Sequence, residues 1–188
     1  MNIYEIIKVS FSKAISMPEQ QNPIRELHRE RSKRWINCLG EELSKRYPVE
    51  SNFRVFWRGN TLNRKEFGFN ELLYDISVCE VAFTESVLHK NRLTLLRNVV
   101  WQVESEFAKD SHQSVIDFNK LVAGSGSNKL FVAPTTSMRD QFLRVLREAA
   151  SFCSGNIYLA LVPPPSEWPS DSCRIETLVL EQGVWVKA

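Results

Sequence analysis

The stretch from Val99 to Pro163 limits the fold more than any other. Three short apolar runs, "VVWQVESEF" (99–107), "NKLFVAP" (128–134) and "NIYLALVP" (156–163), read as strands. Between them lie two helix-length segments. The first runs from Ser111 to Val122 and is ended by Gly124 and Gly126. The second, "TTSMRDQFLRVLREAASFCSG", has Thr136 or Ser137 as its cap and Gly155 to close it. A strand–helix–strand–helix–strand run favours parallel pairing and a sheet covered by helices, because parallel neighbours need a crossover connection.

Upstream, "QQNP" (20–23) reads as a break, with Asn22 able to cap and Pro23 to start a helix. From Ile24 to about Tyr47 the spacing is helical: Ile24, Leu27, Arg31, Trp35, Cys38, Leu39, Glu42 and Leu43 lie near one stripe, and Pro48 ends the run. "FRVFWRG" predicts a strand and "NTLNRK" a turn. The segment Phe67 to Phe83 predicts a second strand centred on Leu72 to Val81, and Glu85 to Arg97 is expected to be helical in part. The first twenty residues read as a short helix or strand of the same domain. "PPPSEWPSDS" reads as a loop, and "RIETLVLEQGVWVKA" as a final strand or a hairpin turning at Gln182-Gly183. The expectation is a single α/β domain over 1–188: a mixed central β-sheet flanked by helices.

Hydrophobic residues make up 43% and charged residues 24% of the 188, which fits a globular domain and argues against disorder. The net charge of +2 points neither towards nor away from nucleic acid. Cys38, Cys79, Cys153 and Cys173 show no zinc spacing and no CxxC pair, so a reduced, cytoplasmic setting is expected. No apolar run approaches the roughly 20 residues that span a bilayer, and the N-terminal segment lacks the pattern of a secretory signal, so no membrane partner is expected.

The chemistry is in the carboxylates. Residues two apart on a strand share a face, so Gln102, Glu104 and Glu106 point the same way. Asp75 is read as mid-strand in "ELLYDISV", where Leu73, Asp75 and Ser77 share a face and an Asp is out of place on propensity grounds. An isolated buried carboxylate costs several kcal/mol unless paired, and a hard divalent cation is one partner. Lys120, in "DFNKL" on the following helix, could neutralise a phosphate or help activate water.

These residues, in this order, resemble the PD-(D/E)XK nuclease superfamily, whose signature is an Asp on the second strand and (E/D)-x-K on the third. Its core of helix, three-stranded meander, helix and strand (αβββαβ, restriction-endonuclease-like) maps onto 24–134, leaving the last helix and strands as a C-terminal addition. Asp75 takes the first slot and Glu104-Ser105-Glu106 the second. Glu106 stands where the family usually has Lys, and Lys120 is assigned the migrated lysine role. The resemblance implies a metal-dependent phosphodiesterase acting on nucleic acid, with DNA the favoured substrate. Asp75 and Glu104, helped by the Ser105 carbonyl, would hold Mg²⁺ or Mn²⁺. Glu106 and Lys120 would complete the catalytic set. A glutamate from the first helix, Glu42 with Glu41 as the alternative, could join. In a shifted register, Gln102 would be the ligand and Glu104 the lysine replacement.

Each residue has a plainer reading. Glu104 and Glu106 could belong to an exposed strand face, Asp75 to a strand end or bulge, and Lys120 and Glu42 to solvated helix surfaces. Arg25, Arg29, Lys33 and Arg34 could contact phosphates, or pair with Glu26 and Glu30 at helical spacing. His28, His89 and His112 have no partner at ligand spacing. Two rival functions follow: a catalytically inactive nuclease-fold binding module, and a small α/β protein-interaction domain. The second would be dimeric through strands such as Phe53 to Phe56 and Val184 to Val186. The partner expected beyond nucleic acid is a second copy of the chain or a separate specificity subunit.

Overall fold

The computed structural model of the chain describes residues 2–18, 23–108, 110–168 and 174–188. Helix α1 (Ile3–Ser16) is capped by Asn2, whose side chain accepts from the Tyr4 N–H. Helix α2 (Ile24–Arg46) begins directly after Pro23; the Asn22 cap expected from the sequence lies outside the described residues. The Tyr47 N–H closes the end of α2 on the Leu43 carbonyl, one residue before Pro48.

Seven strands form one sheet in sequence order. β1 (Phe53–Trp57), β2 (Ile76–Glu85) and β3 (Arg92–Ser105) run antiparallel as a meander, with the short helix α3 (Asn63–Phe67) between β1 and β2. β4 (Asn128–Pro134) and β5 (Asn156–Val162) then run parallel to β3, crossing over through α4 (Ser111–Ala123) and α5 (Arg139–Ala150). β6 (Glu176–Glu181) and β7 (Val184–Lys187) finish as a hairpin whose turn places Gln182 and Gly183 at φ 48° and 76°. Two consecutive positive φ angles are what a two-residue hairpin needs to match the strand twist.

The strands alternate between two cores. Trp101, Val103, Leu130 and Val132 pack against Ile7 of α1 and Trp35, Leu39 and Leu43 of α2. Phe131, Ala133, Leu159 and Leu161 pack against Phe118 and Leu121 of α4 and Phe142 and Leu146 of α5. Each large apolar side chain buried this way contributes about 1.5–3 kcal/mol. The result is a helix–sheet–helix sandwich with the parallel strands at its centre.

The structure departs from the sequence expectations at several points. Residues 85–97, expected to be partly helical, form the β2–β3 turn and the start of β3, because pairing from Val81↔Leu96 to Glu85↔Arg92 gives their backbone cross-strand partners. "NTLNRK" is not only a turn, since α3 begins at Asn63, where the side chain donates to the Val55 carbonyl. The second strand begins at Ile76, later than expected, because Leu73 has φ 60° and Leu72 and Tyr74 form an isolated bridge ahead of it. Asp75 is therefore not mid-strand. It sits in a bend one residue before β2. Helix α5 starts after Met138, and Thr136 accepts from the Met138 N–H instead of capping inside the helix. Ile24 leaves the α2 stripe and is 73% exposed. Of the strands proposed for dimer contact, β1 has Val55, Phe56 and Trp57 buried within the chain itself, while Val184 is exposed.

Cys38, Cys79 and Cys153 are free thiols, and Cys173 lies outside the described residues. Burial pushes the Cys79 thiol up to about 12, which leaves it a packing group. Among the described residues no helix is long and apolar enough to cross a membrane.

Candidate functional site

The site forms where β3 ends. Trp101 and Val103 turn towards α1 and α2, so Gln102 and Glu104 must face α4. That face is not solvent: Gln102 and Glu104 are each 2% exposed. The reading of Glu104 as part of an exposed strand face does not hold.

Glu104 divides its oxygens. Oε2 accepts from Lys120 Nζ at 3.1 Å, while Oε1 is buried with no hydrogen-bond partner. Burial, and then the negative charge of Asp75, push its carboxyl up to about 7, against the opposing pull of Lys120. Asp75 reaches the same strand end from the bend before β2. Its Oδ2 accepts from both the Ser105 N–H at 2.9 Å and the Ser105 hydroxyl at 2.6 Å. Burial raises its pKa despite those bonds.

Lys120 lies on the last turn of α4 and pairs with two carboxylates, Glu104 and Asp117, the latter at 2.7 Å. Desolvation works against its charge, but the Asp117 and Glu104 contacts prevail and its pKa is raised. Glu106 lies just past the strand. Its carboxyl accepts from the Ala108 N–H and shares a hydrogen bond with Asp117. Burial and that acidic neighbour raise the Glu106 pKa. Asp117 is held low against its own burial by Lys120 and Glu106.

Four of the expected residues thus converge: Asp75, Glu104, Glu106 and Lys120. Gln102 does not join as a ligand, because its Oε1 accepts from the Gly126 N–H at 2.8 Å and ties β3 to the loop after α4. A Cβ at Gly124 or Gly126 would fall within 2.7 Å of that amide oxygen, so the loop depends on glycine to approach it. Glu42 does not join either. It is paired with Lys13 of α1 and, at 2.6 Å, with Lys45, and so fastens α1 to α2.

A cavity of about 620 Å³ opens beside Asp75, Ser105 and Glu106, towards α2. Arg29 and Lys33 line it, as do Asn37, Arg58 and Glu71. Of the four basic residues singled out on α2, Arg25 is exposed and does not line this cavity, and Arg34 donates to the Met17 carbonyl at 3.2 Å. Sequence reasoning missed Asp117, Arg58 and Glu71. Asp117 carried a usable signal, its i,i+3 spacing to Lys120. Arg58 and Glu71 sit in connections whose path only the folded sheet defines.

Among the described residues no three His, Cys, Asp or Glu side chains gather at metal-binding distance. The donors present fit a less demanding site. Mg²⁺ is commonly held by one or two carboxylates with water completing its shell. Asp75 and Glu104 are two such carboxylates, and Glu104 Oε1 is a buried acceptor without a donor. Comparison with protein-family models, with curated proteins and with solved structures returned no match.

Proposed function

We propose that this protein is a metal-dependent phosphodiesterase acting on nucleic acid, with DNA the favoured substrate. The observation that carries the reading is the division of labour at Glu104, with one oxygen on Lys120, the other buried without a partner, and the charge of Asp75 acting on the carboxyl. The order of elements from Ile24 to Pro134, helix, antiparallel meander, helix, parallel strand, supports the resemblance to PD-(D/E)XK nucleases. Arg29, Lys33 and Arg58 line the adjoining cavity together with Glu71, Asp75 and Glu106, and these three cations are the groups that would meet a phosphate.

In this reading Asp75 and Glu104 would hold Mg²⁺ or Mn²⁺, which when bound supplies Lewis acidity and makes water a better nucleophile. Ser105 orients Asp75 through two hydrogen bonds to one oxygen. Lys120, kept protonated by Asp117 and Glu104, would offset the charge that builds on phosphorus. Arg29, Lys33 and Arg58 would position the backbone of the strand. The free thiols agree with a reducing, cytoplasmic setting.

One observation favours a second reading. Glu106 occupies the slot of the usual lysine and is already satisfied by Asp117 and the Ala108 N–H. A glutamate already engaged in this way, where the family usually has a lysine, suits a nuclease-fold module that binds nucleic acid without cutting it. Titrating Mn²⁺ calorimetrically into the wild-type protein, Asp75→Ala and Glu104→Ala, followed by a DNA cleavage screen, separates the two. Saturable Mn²⁺ binding lost in both variants, with cleavage, supports the enzyme. DNA binding without Mn²⁺ binding or cleavage supports the module.

A further inference from the structure

A second, open cleft of about 270 Å³ adjoins the acidic cavity, and Arg58 and Glu71 line both. Among the described residues, every one that lines it belongs to the β1–β2 connection. That connection is pinned in place. The side chains of Asn60 and Asn63 both donate to the Val55 carbonyl, at 2.8 and 2.9 Å. Arg54, buried on β1, donates through Nε to Glu66 of α3 at 2.6 Å. Helix α3 then ends at Gly68, whose φ of 81° turns the chain back towards β1. A Cβ at Gly68 would meet nothing within 4 Å, so the space beside this turn is open.

The turn lays Phe69 on two other rings. Its centroid lies 5.7 Å from Phe56, at an interplanar angle of 33°, and 6.0 Å from Phe67, at 44°. Phe56 is fully buried, and Phe67 meets it edge-on at 5.0 Å. Phe69 lines the cleft and is 38% exposed. The two rings behind it hold it in place, so it forms a preset aromatic surface. Asn70 follows it in the chain and in the cleft, and its Oδ1 is buried with no hydrogen-bond partner. A buried acceptor left unmet costs free energy that an N–H donor would recover.

The ring and the unmet acceptor decide what kind of ligand this is. At about 270 Å³ the cleft is too small to enclose a drug-sized molecule. Stacking, however, needs only one ring face. A nucleobase offers a flat face to the phenyl ring and N–H donors at its edge, and it carries phosphates for nearby guanidiniums. Arg58 and Arg64 are the groups of this cleft that would meet those phosphates; Glu71 lines it as well. The base has to be unpaired, because its neighbours in a duplex cover both of its faces.

We infer that this cleft binds an unpaired nucleotide of a nucleic-acid strand, its base stacked on Phe69 and its phosphates on Arg58 and Arg64. Because Arg58 lines both clefts, the strand that reaches the acidic site is single-stranded where it passes Phe69. The inference rests on nucleic acid being the ligand, as proposed above, and on neither metal binding nor cleavage.

The test is fluorescence anisotropy of a labelled DNA 12-mer with the full chain, without divalent cations, given as a single strand, as a duplex and as an abasic strand. The single strand is expected to bind more tightly than the other two. Phe69→Leu keeps an apolar side chain against Phe56 and Phe67 but removes the ring. It should weaken the intact strand by about fivefold or more and leave the abasic strand unchanged. Phe69→Tyr, which keeps the ring, should bind as wild type does. Arg64→Ala, at an exposed position, should weaken intact and abasic strands alike and flatten the salt dependence. The inference is overturned if the duplex binds as tightly as the single strand, if Phe69→Leu binds as wild type, or if Phe69→Tyr binds as weakly as Phe69→Leu. Displacement of the strand by adenosine monophosphate at equal nucleotide concentration would give the cleft to a free nucleotide and overturn it too. The Mn²⁺ titration reads the acidic site separately. Strand binding through Phe69 without Mn²⁺ uptake would support this cleft and sink the metal reading, and Mn²⁺ uptake without preference for the single strand would do the reverse.

Discussion

Glu104→Gln should remove about 2 kcal/mol of the pH dependence of stability above pH 5.5. Burial and the Asp75 charge push the wild-type carboxyl up to about 7 in the folded chain, against its ordinary 4.5. A raised acid pKa means the folded state holds a proton that the unfolded state has already lost, so stability falls as pH rises between those two values. At 1.36 kcal/mol per pKa unit, the full cost approaches about 3 kcal/mol, of which about 2 kcal/mol accrues between pH 5.5 and pH 8. Burial at 2% exposure leaves little solvent screening to reduce it. The carboxylates with lowered pKa values, among them Glu66 and Glu176, gain their stability around their unfolded values and are nearly flat over this interval. Urea unfolding at both pH values should show wild type losing about 2 kcal/mol and Glu104→Gln, which mimics the protonated acid, losing little. For a chain this size the wild-type shift corresponds to roughly 4–8 °C in Tm. Equal slopes in the two proteins would refute the argument, because the pH dependence would then come from elsewhere. Under the proposed function, Mn²⁺ at pH 8 should recover part of the wild-type loss and none in the variant.

Three further outcomes are expected. Lys120→Ala should move the Glu104 titration above its wild-type value, since the ammonium favours the ionised acid; carboxyl ¹³C NMR reads this directly. Ser105→Ala removes the 2.6 Å hydroxyl bond to Asp75, and should cost about 1.5–3 kcal/mol while Asp75 is ionised and less once it is protonated, as followed by denaturant melts across pH. Gly40→Ala sets two effects against each other. Better helix propensity gains about 1 kcal/mol, while a Cβ 2.6 Å from the Trp57 ring costs about 1–3 kcal/mol, so Tm should fall as α2 is pushed away from β1.

Much of the fold was legible because its signals are local. The α2 stripe ends at Pro48, α4 ends at Gly124, and β4 and β5 are short apolar runs between breakers, so spacing alone located them. The β2–β3 arm was not legible, because "RLTLLRN" gains its hydrogen-bond partners by folding back on β2 and not within its own segment. The site divides along the same line. Glu104 and Lys120 could be paired on paper, since the chain leaves β3 and returns along α4. Asp75 could be named but not placed, because its bend depends on Leu73 at φ 60° and its bonds depend on the β2–β3 register. Glu42 was misassigned because nothing in its own segment signals that Lys13, on a separate helix, will claim it.

The residues that broke local rules are also the ones that gather. Asp75, Glu104, Glu106 and Asp117 gather around the end of β3, where Lys120 pairs with Glu104 and Asp117, and three of the four carboxyls have raised pKa values. One ammonium cannot offset that many acids, so the cluster weakens the fold as pH rises towards neutrality. Gln at 104 would avoid that cost with nearly the same shape. A chain that keeps the acid, with one of its oxygens buried and open, has a site in which an added cation would relieve both the repulsion and the unmet acceptor. This electrostatic deficit, more than any single motif, is what makes the end of β3 the place to look for chemistry.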